Sequence, residues 1–228
     1  MKYGILCAME EEIKVLRAKL SNLHESEHGG ITFYEGSINN QAVVLVRSGI
    51  GKVQAGMTTA LLIVEYGATA IINSGSAGGI GHGLHIGDVV FSTTAAYHDV
   101  DATAFDYLPG QLPQQPQLFK ADENLVNKLT QAATVTNLSV KKGLIVTGDQ
   151  FIASAAKIEQ IKQVYPAALC CEMEGAAVAQ AAYQFKVPFA IIRAMSDVGD
   201  EEAGQTFDQF ILEAGKRSAC MILTMLTA

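Results

Sequence analysis

The sequence predicts an α/β fold, a three-layer αβα sandwich in which helices cover a central mixed β-sheet. Three observations predict it. Apolar runs of strand length alternate with amphipathic stretches of helix length from one end of the chain to the other. The polar turn Ile38-Asn39-Asn40-Gln41 joins two such runs as an antiparallel hairpin, so the sheet is not wholly parallel. Of 228 residues, 49% are apolar and 17% charged, enough to bury a substantial core. That length fits one large domain or two small ones; with no linker, repeat or low-complexity tract, a single domain over residues 1–228 is expected.

In chain order, Lys2 to Cys7 is apolar enough for a buried strand, and the acids that follow open a helix over Glu10 to Leu20. Thr32 to Ser37 and Ala42 to Arg47 form the hairpin, and Lys52 to Tyr66 has helical length and period. Thr69 to Asn73 and Asp88 to Ala95 read as further strands. From about His98 to Phe119 a segment rich in Pro, Gln and aromatics lacks any period, and its length marks it as functional rather than a plain connection. Helix Asn124 to Thr134, strand Lys142 to Thr147, helix Ser154 to Val164, strand Ala168 to Cys171, helix Gly175 to Phe185, strand Phe189 to Met195 and a closing helix from Thr206 to about Leu226 complete the chain.

Composition removes several functions. Sixteen Lys plus Arg against 23 Asp plus Glu give a net charge of −7, which repels a phosphate backbone, so no nucleic-acid partner is expected. No run reaches the ~18 apolar residues of a membrane helix. The opening MKYGILCAMEEEIK lacks the pattern of a secretory signal, and a cytoplasmic protein is expected. Cys7, Cys170, Cys171 and Cys220 form neither a zinc framework nor a disulfide ladder and read as small buried thiols. His82, His85 and His98 lack the further ligands of a metal site and read as surface loop residues; no metal is expected.

Ligands of open α/β sheets lie beyond the carboxyl ends of strands, which directs attention to the residues there. Asn73-Ser-Gly-Ser-Ala-Gly-Gly-Ile-Gly81 leaves a strand with glycines that admit a ligand close to the backbone, yet it has neither the dinucleotide spacing nor the G-x-S-x-G register; a plain tight turn is the alternative. Ser48-Gly-Ile-Gly-Lys52 lacks the first glycine and the final Ser or Thr of a phosphate loop. Glu10, Glu11 and Glu12 suit a helix start on dipole grounds alone, but side chains turn by about 100° per residue, so at most one can enter a cleft and activate water. Cys171-Glu-Met-Glu-Gly175 brackets a Met with two acids after a strand. Arg193-Ala-Met-Ser-Asp197 sets a cation inside an apolar strand and an acid at its end. A buried Arg requires a partner, so Arg193 forms either a structural ion pair or part of an acid-base site.

Taken together, Gly4-Ile-Leu-Cys-Ala-Met-Glu-Glu-Glu12, Ser48-Gly-Ile-Gly-Lys52, Ile71-Ile-Asn-Ser-Gly-Ser-Ala-Gly-Gly79, Tyr97-His-Asp99 with Thr103-Ala-Phe105, Gly148-Asp-Gln-Phe-Ile152, Glu172-Met-Glu174 and Arg193-Ala-Met-Ser-Asp197 resemble the 5′-methylthioadenosine/S-adenosylhomocysteine nucleosidases, within the purine nucleoside phosphorylase-like superfamily. The resemblance runs from first strand to last helix. It implies cofactor-free hydrolysis of 5′-thio-substituted adenosines, with 5′-deoxyadenosine as a further substrate. Asp197 corresponds to the acid that protonates adenine N7 and Glu12 to the base that activates water, a division of labour shared with inverting glycoside hydrolysis. By the same resemblance Glu174 and Met173 hold the ribose, Phe151 stacks on adenine and the Ile152 backbone reads its edge. Ser76, Gly78 and Ser196 line the site, and Arg193 orients the acids. Met9, Ile50, Met173 and Phe207 wall the thioether. Phe105 and Pro113 are expected to complete the neighbouring site of a homodimer, and Ala102 stands where some members carry a larger apolar residue.

Two other readings make distinct demands. A phosphorylase of the same superfamily needs cations for phosphate, whereas the chain has only Arg17, Arg47, Arg193 and Arg217 as arginines and Asn73 where related phosphorylases are expected to carry one. A purine sensor would have lost Glu12 or Asp197, and both are present.

Overall fold

The structure is a computed structural model and describes residues 1–136, 138–198, 200 and 202–227. Its first strand, β1 (Lys2–Cys7), is buried from Tyr3 onward. It is followed by α1 (Glu10–Arg17), β2 (Ser21–His28), β3 (Ile31–Ile38), β4 (Gln41–Arg47) and α2 (Lys52–Val64). Both hairpins turn on two left-handed residues: Asn39 and Asn40 between β3 and β4, Gly29 and Gly30 between β2 and β3. Such turns match the natural twist of paired strands. β2 was not expected from the sequence. Its residues Ser21–His28 are almost all exposed and it pairs only with β3 at the sheet edge, so it carries no apolar alternation.

The next strand, β5 (Ala70–Gly79), runs straight through the glycine-rich stretch that the sequence suggested as a loop. After β6 (Val89–Tyr97) the aperiodic segment holds a 3-10 turn at Thr103–Phe105 and ends in the short β7 (Phe119–Lys120), which pairs with β6. Then come α3 (Glu123–Thr136), β8 (Val140–Thr147), α4 (Ala155–Val164), β9 (Ala168–Glu172), α5 (Gly175–Phe185), β10 (Phe189–Asp197) and α6 (Ala203–Met225).

The described strands make one mixed sheet, in the order β10-β6-β8-β9-β5-β1-β4-β3-β2. β10 also pairs in parallel with β5, so β5, β10, β6, β8 and β9 close into a ring from which β1, β4, β3 and β2 extend as an open wing. Closure depends on the far end of β5, where Gly78 and Gly79 pair with Cys171 and Cys170 of β9. The middle layer is thus the expected mixed sheet, rolled into a ring along part of its width. α2 and α5 pack together as one outer layer, and α1, α3 and α6 form the other. α6 lies on β10 and β5, whose interior residues are fully enclosed. Around Ile80, Val146 and Tyr165, a smaller apolar cluster receives α4 through Ile158 and Ile161.

Two smaller expectations are corrected by burial. Cys7, Cys170 and Cys171 are buried, but Cys220 lies exposed on α6. His82 and His85 are exposed, but His98 is half-buried, its ring packed against Gly148 and its Nε2 enclosed.

Candidate active site

A cavity of about 320 Å³ opens at the carboxyl ends of the strands. Met9 and Glu12 reach it from the β1–α1 junction, Ile50 from the turn after β4, Ser76 and Gly78 from β5. Phe151 and Ile152 follow β8, Met173 and Glu174 follow β9, Ser196 and Asp197 end β10, and Phe207 comes from α6. Residues far apart in sequence converge because all but Phe207 lie in the last part of a strand or in the junction after it, and the strands' neighbours are fixed by register. The acids lie deep, with Glu12 and Asp197 no more than 3% exposed, while Ile50 and Phe151 stand half-exposed at the rim. Phe151 meets Phe207 edge to face at 5.7 Å between ring centroids. Arg193 lies behind the cavity wall, and Phe105 and Pro113 are not part of the wall in this chain.

Of the three glutamates that start α1, only Glu12 enters the cavity; Glu10 pairs with Arg17 at 2.7 Å. Glu12 Oε2 accepts from the N–H groups of Ala8 and Met9 at 2.9 and 3.0 Å. Glu12 Oε1 accepts from the N–H and hydroxyl of Ser76 at 2.9 and 3.1 Å. The carboxylate therefore caps its own helix and bridges it to β5, which fixes its direction. Burial pushes its pKa above the ordinary value, against the pull of Arg193 and of the hydrogen bonds from Ser76 and Met9. A carboxylate so placed accepts a proton readily, which suits a base.

Behind it lies an ion pair that the sequence left open. Arg193, 1% exposed, binds Glu172 through Nε and Nη2 and donates from Nη2 to Asn73 Oδ1 at 2.5 Å. Glu172 also accepts from the Thr147 hydroxyl and from the N–H groups of Glu174 and Gly175. Those last two bonds hold the start of α5 and so aim Glu174. Glu174 Oε1 accepts from the Gly51 N–H at 2.9 Å, and Oε2 stands 3.8 Å from Arg193 Nη2. Burial and the neighbouring Glu172 push the Glu174 carboxyl up to about 8. Asn73 and Thr147 were given no part in the site from sequence; Thr147 ends β8, but Asn73 lies inside β5.

Asp197 ends β10 at a break in the register with β5, and Ser196 Oγ donates to its Oδ2 at 2.9 Å. The glycines of β5 now have a specific use. A Cβ on Gly75 would stand 2.7 Å from Glu12 Oε1, and one on Gly78 would stand 2.8 Å from Asp197 Oδ1. They clear space for two carboxyl groups instead of cradling a phosphate. Lys52, at the start of α2, is tied to Asp99 at 2.6 Å and faces Tyr97. The cavity wall thus combines four carboxyl groups, of which Glu172 is bound to Arg193 and Glu174 can accept from a polyol, with apolar surface from Met9, Met173 and Phe207. No Lys or Arg lines it among the described residues.

The profile of the Phosphorylase superfamily matches residues 2–227. A 5′-methylthioadenosine/S-adenosylhomocysteine nucleosidase of Staphylococcus carnosus is 49% identical over 98% of each chain. The nucleosidase of that name from S. pneumoniae, solved with a transition-state inhibitor, MT-ImmA, is 46% identical and superposes with a TM-score of 0.97 over 100% of this chain and 99% of its own. That of Neisseria meningitidis, solved with methylthio-immucillin-A, is 43% identical with a TM-score of 0.98 over 99% and 98%. Similarity of this degree, held from the first strand to the last helix, means that the chain belongs to the 5′-methylthioadenosine/S-adenosylhomocysteine nucleosidases of the phosphorylase superfamily.

Proposed function

We propose that the protein is an N-glycosyl hydrolase that cleaves 5′-methylthioadenosine and S-adenosylhomocysteine to adenine and the corresponding thioribose, serving methionine salvage. The observation that carries this reading is the pair of buried carboxyl groups, Glu12 and Asp197, facing one partly apolar cavity. Adenine lies against Phe151 and the Ile152 backbone, and the ribose hydroxyls donate to Glu174 beside Met173. Asp197 gives its proton to adenine N7 as the C1′–N9 bond breaks and its electron pair moves onto the base. Glu12 takes a proton from water as the water oxygen bonds to the oxocarbenium-like C1′. Ser196 fixes the acid, and Ser76 fixes the base. Arg193 acts through Glu172 as a positioning residue. The reaction as written needs no metal or cofactor.

Water is favoured over phosphate as the nucleophile. A phosphate dianion would enter beside Glu12 with no cationic side chain on the wall to receive it. 5′-Deoxyadenosine fits the same chemistry and loses only the apolar contact of the thioether. The reading includes a cytoplasmic location; among the described residues no helix is long and apolar enough to cross a membrane. It also includes a homodimer in which Phe105 of the partner subunit and Pro113 of the partner subunit complete the apolar wall around the thioether.

The test is adenine release from methylthioadenosine by the purified protein, with and without phosphate, with the sugar product identified. Free methylthioribose formed without phosphate is the expected result. A sugar 1-phosphate formed only with phosphate would overturn the reading.

A further inference from the structure

A second groove, of about 630 Å³, adjoins the catalytic cavity and shares Ala8, Met9 and Ile50 with it. The β2–β3 turn and the end of β4 form its other side. Met9 and Ile50 thus stand as an apolar threshold common to cavity and groove. The groove holds both signs of charge. Arg47, exposed at the end of β4, and Glu11, in the first turn of α1, line it, and neither has an ion-pair partner among the described residues. Glu10, in the same groove, is committed to Arg17. One guanidinium and one carboxylate beyond an apolar threshold match a ligand carrying a carboxylate and an ammonium on a short aliphatic stem.

We propose that this groove is the subsite for the amino-acid end of the longer substrate: Arg47 takes the α-carboxylate and Glu11 the α-ammonium of the homocysteinyl tail, while Met9 and Ile50 hold the thioether at the threshold. The inference rests on the nucleosidase reading and adds the residues that separate S-adenosylhomocysteine from methylthioadenosine. Methylthioadenosine ends at the threshold and makes neither polar contact. The two charges are partly solvated, so their contribution weakens with added salt.

The experiment compares kcat/KM for the two substrates in wild type, Arg47→Gln and Glu11→Gln. Loss of one charge-assisted contact is expected to lower the S-adenosylhomocysteine to methylthioadenosine ratio about tenfold, through KM rather than kcat. A 5′-thioadenosine with a carboxylate-only tail should respond to Arg47→Gln alone, and one with an amine-only tail to Glu11→Gln alone. An unchanged ratio in both variants overturns the subsite. Wild-type protein that releases no adenine from methylthioadenosine defeats the nucleosidase reading instead. The groove is then decided by calorimetric titration of S-adenosylhomocysteine: equal affinity in wild type and Arg47→Gln rejects it, and about tenfold weaker binding in the variant supports it.

Discussion

Glu12 and Glu174 are acids that the fold holds at a cost, and the cost has a measurable sign. Burial raises both, Glu174 to about 8, above their ordinary value of 4.5. Between those two values the folded chain keeps protons that the unfolded chain has released, so stability falls as pH rises through that window. Wild type should therefore melt at a higher temperature at pH 5 than at pH 8. Glu174→Gln keeps the acceptor for the Gly51 N–H without the charge, and should melt higher than wild type at pH 8 by an amount worth on the order of 1–3 kcal/mol. Thermal scans at both pH values check this; a variant less stable than wild type at pH 8 refutes it. As the proposed base, Glu12 works only when ionised, and because burial raises it, activity should fall off on the acidic side above pH 4.5. Asp197→Asn and Glu12→Gln should each lose about 10²–10⁴-fold in kcat while retaining the wild-type circular dichroism spectrum. Near-normal turnover in either variant removes its assigned role.

Elements position these residues through close approaches, and those were the least legible part of the sequence. α6 crosses the start of α1 at Gly215, where a Cβ would stand 2.6 Å from the Glu11 carbonyl oxygen and 3.2 Å from Glu12 Cα. Both obstacles are backbone, so Gly215→Ala must push α1 away from α6 and displace Glu12 from Ser76. The expected result is a fall of about tenfold or more in kcat with about 1–3 kcal/mol lost from stability, read by kinetics and denaturant melts of one preparation. Neither helix period nor composition could reveal that crossing, because Gly215 sits inside an otherwise ordinary amphipathic run. β1, β4, β8, α5 and β10 were readable because their apolar runs end at charged or glycine-containing junctions. β2 was hidden by its polar, edge-strand sequence, although Gly29-Gly30 was a hairpin signal ahead of β3. β5 was cut short for a related reason: Ser74-Gly-Ser-Ala-Gly-Gly79 reads as a turn by propensity, and only pairing with β9 and β10 makes it strand. The site acids were legible as residues at strand ends. Nothing local distinguishes Glu172, which binds Arg193, from Glu174, which accepts from the Gly51 N–H; only the family resemblance singled out Glu174.

For the whole molecule, the aperiodic segment and the α2–α5 layer raise one question together. Val53 and Phe105 are each 75% exposed, Phe185 is 45% exposed, and a groove of about 430 Å³ runs between α2, α5 and Leu112. Leaving so much apolar surface in water is unusual for a monomer, whereas burial against a second copy would be favourable at about 25 cal/mol per Å². The proposed dimer joins this face to the site, because Phe105 and Pro113 contribute nothing to the cavity of their own chain. If they close the site of the partner subunit, the two functions separate by subunit. Phe105→Ala alone should raise KM for methylthioadenosine several-fold, and Glu12→Gln alone should abolish turnover in its own site. In a mixed dimer of the two variants, the site that retains Glu12 receives Phe105 from the Glu12→Gln subunit, so low-KM turnover reappears at up to half the wild-type kcat per dimer. Sedimentation of the wild type fixes the oligomeric state, and tandem purification with two affinity tags isolates the mixed species for kinetics. A monomer in solution, or a mixed dimer whose active sites keep the raised KM of Phe105→Ala, returns Phe105 to its own subunit and leaves the exposed face unrelated to catalysis.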